Sequence, residues 1–519
     1  MSPSAFSPSQ DAVIAFLADP ASHGPSVETV ERIDTHISVV FLAGERAYKL
    51  RRAVSLPYVD FTSLEARRED CARELKLNEL GAPGLYEGME PVTLNRAGHL
   101  SIGGTGDPVD WLVVMRRFDQ AERFDRLLER GVLERHIMCD VAERVWAVHR
   151  HSPKAAGPGW LGSFKNIVEN NQQSFAAFSP TLFSTPRISF YFNAVFQNIS
   201  QISLRLEERG YEGFVGRCHG DLHLSNIVQF EDKPALFDAM AFNDLFAVID
   251  RLYDLSFLLM DLDFRGERRL ASIVLNHYME YSGDTEGMAL LPLYLSTRAS
   301  VRALVAATAA GEQSDDSLRR ELEAEAKRYM EAAEDYLLPA PPGVIAVGGL
   351  SGSGKSRLAR EVAPYLDVPG ALVLRTDVLR KRLVGQDPYD GLGPEGYTAD
   401  MSRKTYELLY AEAKRALDIG RTVVLDGVFA NPLERQAAED LARQEGVPFT
   451  GLWVEAPVDV AQDRIATRIR NPSDVTREVR QKQEGFDLGE ITWVRIDSSG
   501  PKEDTVSAGL EALAGMRTV

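Results

Sequence analysis

The chain has 519 residues and a formal net charge of −18, a length beyond what one hydrophobic core supports, so two domains or more are expected. Such acidity opposes non-specific attraction to nucleic acid or an anionic membrane, both of which call for a basic field. Cys71, Cys139 and Cys218 form no Cys-x-x-Cys pair, the N-terminus lacks a basic segment followed by an apolar one, and the apolar stretch near Leu255 to Met260 is too short to span a bilayer, so a cytoplasmic protein is expected.

A short helix is expected at 9–18, then strands near 29–35, 37–42 and 46–51, divided by turn residues such as Ala43-Gly44-Glu45. A charged helix follows at about 63–80. The apolar run Trp111 to Met115 leads into Arg116-Arg117-Phe118 as a strand and connector. Residues 120–215 read mostly as helix, and amphipathic helices run from about 245 to 337. Leu337 to Gly343, with three prolines, is extended and marks a linker. Beyond it, apolar runs near 344–348, 371–375, 422–426, 450–454 and 492–496 alternate with helical patterns, which predicts a parallel sheet covered on both faces. The division is therefore 1–336, a linker at 337–343, and 344–519.

Two constellations carry chemistry. In the first, His219-x-Asp221-x-x-x-x-Asn226 is followed by Asp238 after the apolar run Pro234 to Phe237. Phosphoryl transfer needs a carboxylate for the acceptor's proton and oxygen ligands for magnesium, so Asp221 is the candidate base, and Asn226 and Asp238 the candidate metal ligands. His219 could equally brace the loop. Asp250 and Asp254 read as charges that tie this loop to the helices. In the second, Gly349-Leu350-Ser351-Gly352-Ser353-Gly354-Lys355-Ser356 lies between an apolar strand and a helix. Its glycines let consecutive backbone N–H groups wrap phosphates, Lys355 would reach the β and γ phosphates, and Ser356 would ligate magnesium. ATP and magnesium are thus the expected cofactors at both.

The first 335 residues or so resemble the aminoglycoside phosphotransferase family. The resemblance implies an α+β, protein-kinase-like, two-lobed fold with a nucleotide lysine on the third strand, for which Lys49 is the candidate. It also implies a carboxylate partner on the next helix; Glu74 is chosen, with Glu65, Glu69 and Glu79 as competitors. The first hairpin, Asp34 to Ser38, lacks the Gly-x-Gly-x-x-Gly cover, leaving Ser38 and nearby amides as candidate phosphate contacts. Residues 343–519 resemble P-loop small-molecule and polynucleotide kinases, including the zeta-toxin-like group, which implies an α/β P-loop fold. There Asp377 of Asp377-x-x-Arg380 would act as acceptor base and Arg380 would steady the substrate, although Asp377 also suits a helix N-cap. Asp426 ends a Walker B-like strand and would hold magnesium or its water, and Arg464 or Arg468 would complete phosphate neutralisation from a lid.

The whole chain resembles bacterial bifunctional aminoglycoside phosphotransferase/ATP-binding proteins. That resemblance implies a tandem kinase acting on a small-molecule hydroxyl. The alternatives are a P-loop domain that is a polynucleotide kinase or an ATP-sensing regulator, and a first domain that phosphorylates true aminoglycosides.

Overall fold

The computed structural model describes residues 9–56, 59–155, 159–466, 473 and 477–514. By packing, the chain forms two units: 1–163 with 207–258, and 164–206 with 259–519.

The first unit is built on a six-stranded antiparallel sheet. Its strands are β1 (Val30–Asp34), β2 (Ser38–Ala43), β3 (Arg46–Arg51), β4 (Tyr86–Leu94), β5 (Leu100–Ile102) and β6 (Asp107–Arg116), in the order β1-β2-β3-β6-β4-β5. Gly44 takes a left-handed φ of 58° in the tight β2–β3 turn. Because side chains alternate along a strand, Val39, Phe41, Leu50, Leu112 and Val114 meet Val13 and Leu17 of helix α1 (Gln10–Ala18) on one face. Leu42, Ala47, Val113 and Met115 meet Cys71 of α2 (Leu64–Gly81) on the other. The same alternation places Lys49 and Arg51 beside Ala47, on the α2 face. Strands β4 and β5 are absent from the sequence expectation: Gly88 and Pro91 suppress the strand signal of β4, and β5 has only three residues. A register shift lies between Tyr86 and Gly88.

Helix α2 begins at Ser63, whose hydroxyl accepts from the Ala66 N–H at 3.1 Å. Its buried positions, Arg67, Asp70, Cys71, Glu74, Asn78 and Gly81, recur at helical spacing, so it turns a largely polar stripe inward. Helix α3 (Arg135–His151), the hairpin β7 (Ile227–Phe230) and β8 (Lys233–Leu236), and the start of α4 (Arg251–Phe264) complete this unit.

The second unit joins helices α5 (Arg268–Ser282), α6 (Leu291–Glu312) and α7 (Asp316–Asp335) to a five-stranded, wholly parallel sheet. Its strands are β9 (Val344–Gly348), β10 (Leu372–Arg375), β11 (Val423–Asp426), β12 (Phe449–Glu455) and β13 (Val494–Asp497), ordered β10-β11-β9-β12-β13. Val344 to Val347 are all fully buried, as a sheet covered on both faces requires. The crossovers carry helices α8 (Lys355–Val362), α9 (Thr376–Leu383), α10 (Ala399–Asp418), α11 (Pro432–Glu445) and α12 (Val458–Ala466), and α13 (Lys502–Leu513) follows the last strand. The α+β kinase-like fold and the α/β P-loop fold are thus both present. Residues 337–343 connect α7 to β9 within the second unit. No described helix is long and apolar enough to cross a membrane.

Candidate functional site

In the first unit, Lys49 is buried and its Nζ lies 2.8 Å from Glu74 Oε1, while it also pairs with Asp238. Glu74 is fully buried and shared, because Arg51 takes its second oxygen and reaches Asp70 at 2.6 Å. The competing carboxylates stay on the outer face: Glu65 pairs with Arg68 at 2.6 Å, and Glu69 and Glu79 are exposed. Burial opposes the charge on Lys49, yet Asp238 and Glu74 outweigh it and hold the ammonium above its usual range. For Asp238, burial pushes the carboxyl up, but Lys49 and Arg51 bring it below the ordinary carboxylate range. That side chain is still 47% exposed to the cleft, so solvent there moderates the shift.

Asp238 follows β8 with a left-handed φ of 62°, a conformation strained for most residues but tolerated by aspartate. The Asp238 N–H donates to the Tyr86 hydroxyl at 3.0 Å and the Ala239 N–H to Asn78 Oδ1 at 3.1 Å. Neither Tyr86 nor Asn78 belongs to a motif; the one signal for Asn78 is its helical spacing from Glu74. Gly81 allows close approach of the two segments, since a Cβ there would stand 2.7 Å from the Leu236 carbonyl.

Asn226 Nδ2 donates to Asp221 Oδ2 at 3.0 Å, holding the candidate base beside the candidate ligand. Asp254 accepts from the backbone N–H groups of His219 and Gly220 at 3.1 and 2.7 Å and lies 3.0 Å from His149 Nε2. Asp250 pairs with Arg209 at 2.9 Å. Asp254 therefore anchors the loop, while Asp250 ties its own segment to the helix that carries Arg209. His219 is a brace as well: it is buried, its Nε2 contacts the Phe237 carbonyl at 2.9 Å, and burial depresses its pKa, favouring the neutral ring. Lys49, Asp221, Asn226 and Asp238 line one cavity of about 490 Å³, with Val40, Ala47, Met115 and Phe237 as apolar wall. Ser38 also borders it, but its buried hydroxyl accepts from Arg51 at 2.7 Å.

In the second unit, the loop Gly349 to Gly354 leads from β9 into α8, which starts at Lys355. A Cβ at Gly349 would lie 2.4 Å from the Val454 carbonyl, and one at Gly352 would lie 2.6 Å from that of Ala461. Both glycines also have positive φ, 145° and 85°, so the loop requires them twice over. The Ser351 N–H donates to Gln483 Oε1 at 2.9 Å, and the Ser353 carbonyl accepts from the Ser498 hydroxyl at 2.5 Å. Leu350 occupies its place in the same turn. Ser356 donates to Asp426 Oδ1 at 3.0 Å. Arg464 donates to the Ser498 carbonyl at 2.6 Å and lines a cavity of about 480 Å³ with Gly354, Lys355, Ser356 and Asp377. Arg468 lies outside the described residues. A neighbouring cavity of about 630 Å³ is lined by Lys355 and Asp377 again, together with Arg380, Tyr397, Ser402, Asn431 and Glu434. Asp377 sits in the first turn of α9 and does not cap it, because Arg375 holds the N-cap position. Arg380 donates to the Gly396 carbonyl at 3.0 Å and its guanidinium lies 5.0 Å from the Tyr397 ring centre.

Both donor sets fit a hard divalent cation by their oxygen chemistry: Asn226 and Asp238 in the first cavity, Ser356 and Asp426 in the second.

Residues 344–486 match a family described as AAA domain. Among solved structures, a choline/ethanolamine kinase family protein from Mesorhizobium loti is 13% identical, with a TM-score of 0.39, covering 63% of this chain and 99% of its own. A gluconokinase from Sinorhizobium meliloti 1021 is 20% identical, with a TM-score of 0.25, covering 34% of this chain and 94% of its own. The uncharacterized protein Rv2004c of Mycobacterium tuberculosis is 31% identical over 502 residues, 94% of this chain and 96% of that one. The chain belongs to the same family as Rv2004c, and its glycine loop lies within the matched AAA domain.

Proposed function

We propose that the protein is a tandem phosphotransferase that uses ATP and magnesium at two sites to phosphorylate small-molecule hydroxyl groups. The observation that carries this reading is that each candidate nucleotide lysine shares a cavity with a candidate base, Lys49 with Asp221 and Lys355 with Asp377. Magnesium, when bound, would neutralise and orient the nucleotide phosphates. Around it, Lys49 and Lys355 bind phosphate charge, and the glycine loop supplies amides. Asp221 and Asp377 would accept the acceptor's proton as its oxygen attacks. In the P-loop site, Asp377 and Lys355 border both cavities, so one cavity suits the nucleotide and the other the acceptor.

Transfer of labelled phosphate from ATP into a metabolite extract tests this in the full chain with Asp221→Asn and Asp377→Asn. Each substitution is expected to abolish one set of labelled products by about 10²–10⁴-fold while ATP binding persists. Labelled oligonucleotide ends in place of metabolites would assign the P-loop site to nucleic acid, and a silent Asp377→Asn would reduce that site to an ATP sensor.

A further inference from the structure

Helix α5 precedes the connector in sequence, yet it packs along β10, the edge strand of the parallel sheet. Asn276 acts there as a substitute strand. Its Nδ2 donates to the Ala371 carbonyl at 3.1 Å, and its Oδ1 accepts from the Val373 N–H at 2.7 Å. One turn further on, the same helix presents the buried carboxylate of Glu280. Its Oε1 accepts from Arg375 Nη1 at 2.8 Å, its Oε2 accepts from the Tyr389 hydroxyl at 2.8 Å, and His277 Nδ1 stands 3.2 Å from Oε2.

Arg375 ends β10, and its Nε lies 3.2 Å from Asp426 Oδ2; the other Asp426 oxygen accepts from Ser356. A continuous chain therefore runs from Glu280 through Arg375 and Asp426 to Ser356. The Arg375 and Asp426 side chains are 2% and 3% exposed, so solvent does little to compensate the guanidinium. Burial acts against the charge of both Arg375 and Glu280, yet each holds the other ionised: Arg375 is raised and Glu280 is held below the usual carboxylate range. Two carboxylates thus share one buried cation. With Glu280 removed, that cation would fall to Asp426 alone and draw its carboxylate from Ser356.

We propose that Glu280 is a positioning residue for the P-loop site: by sharing Arg375, it leaves the Asp426 carboxylate to Ser356 and to the divalent cation of a bound nucleotide. This rests on the reading of the P-loop as an ATP–magnesium site. It makes that site depend on a helix that lies more than 60 positions before the glycine loop in the chain.

The test is equilibrium binding of a fluorescent ATP analogue to the full chain, titrated with magnesium, scoring only the component lost in Lys355→Ala. Glu280→Gln is expected to raise the magnesium midpoint about tenfold, the scale on which outer partners tune metal affinity. Arg375→Met is expected to lower the midpoint below wild type, since Asp426 loses its competing cation, and the double variant should match Arg375→Met. A merely structural role would loosen the site in every variant, most of all in the double. An unchanged midpoint in Glu280→Gln, with the Lys355-dependent component intact, overturns the inference and leaves the P-loop reading standing. No Lys355-dependent binding in the wild type overturns both. Should Glu280→Gln fail to fold by circular dichroism, Arg375→Met and the double variant decide: equal midpoints support the inference, and unequal ones overturn it.

Discussion

Glu74 is one carboxylate serving two cations, Lys49 and Arg51, at a position without solvent. Such a group is costly to remove, because two buried positive charges then rest on Asp70 and Asp238. Glu74→Gln is expected to destabilise the first unit by about 3–5 kcal/mol and to weaken nucleotide binding there, since Lys49 loses the group that aims it. Glu79→Gln, on the outer face of the same helix, should stay within about 0.5 kcal/mol. Thermal melting of the two variants checks this, and similar melting temperatures would contradict the burial argument. The family resemblance reaches Glu74 as the carboxylate on the helix after the lysine strand; it does not reveal that Arg51, two residues beyond Lys49, shares it.

At the scale of elements, β10 shows how a sheet edge is protected without another strand. An edge strand exposes unpaired N–H and C=O groups, and Asn276 of α5 satisfies one of each. Asn276→Ala would leave both unpaired beneath the helix, at a cost of about 1–3 kcal/mol for each buried group. Hydrogen exchange reads this locally: the Val373 amide should exchange much faster, while that of Leu425, inside the sheet between β10 and β9, should hold its rate. Equal exchange of Val373 in the variant and the wild type would show that Asn276 does not protect the edge. Nothing in the sequence of α5 announces this role, because an Asn in an amphipathic helix looks like any other polar position.

For the molecule as a whole, the proline-rich connector and the packing partition give different expectations for cleavage. Residues 339–343 belong to no helix or strand, as their prolines favour, and a protease should cut there. The pieces are expected to stay together, because α5 is tied to the P-loop side by Asn276 and by Glu280 with Arg375, and the turn after it by Thr285, whose hydroxyl donates to Glu412 at 2.6 Å. Size-exclusion chromatography of the nicked protein should give one peak. Two separately eluting, folded fragments would show instead that residues 344–519 stand alone.

The sequence by itself determined both fold classes and the principal chemical groups. Strand alternation, helix periodicity, the glycine loop and the spacing around Asp221 are local properties, set by backbone geometry within a few residues. It also named Lys49, Asp221, Asn226 and Asp238, which line one cavity, and Glu74, which pairs with Lys49. Tertiary structure alone decided which side chains stand behind those groups: Arg51 beside Glu74, Asn78 and Tyr86 behind Asp238, and Arg375 with Glu280 behind Asp426. These are contacts between segments far apart in the chain, made by polar residues whose neighbours in sequence resemble a solvated surface. Their burial and pairing follow from how helices close over sheets, a choice that no local pattern encodes.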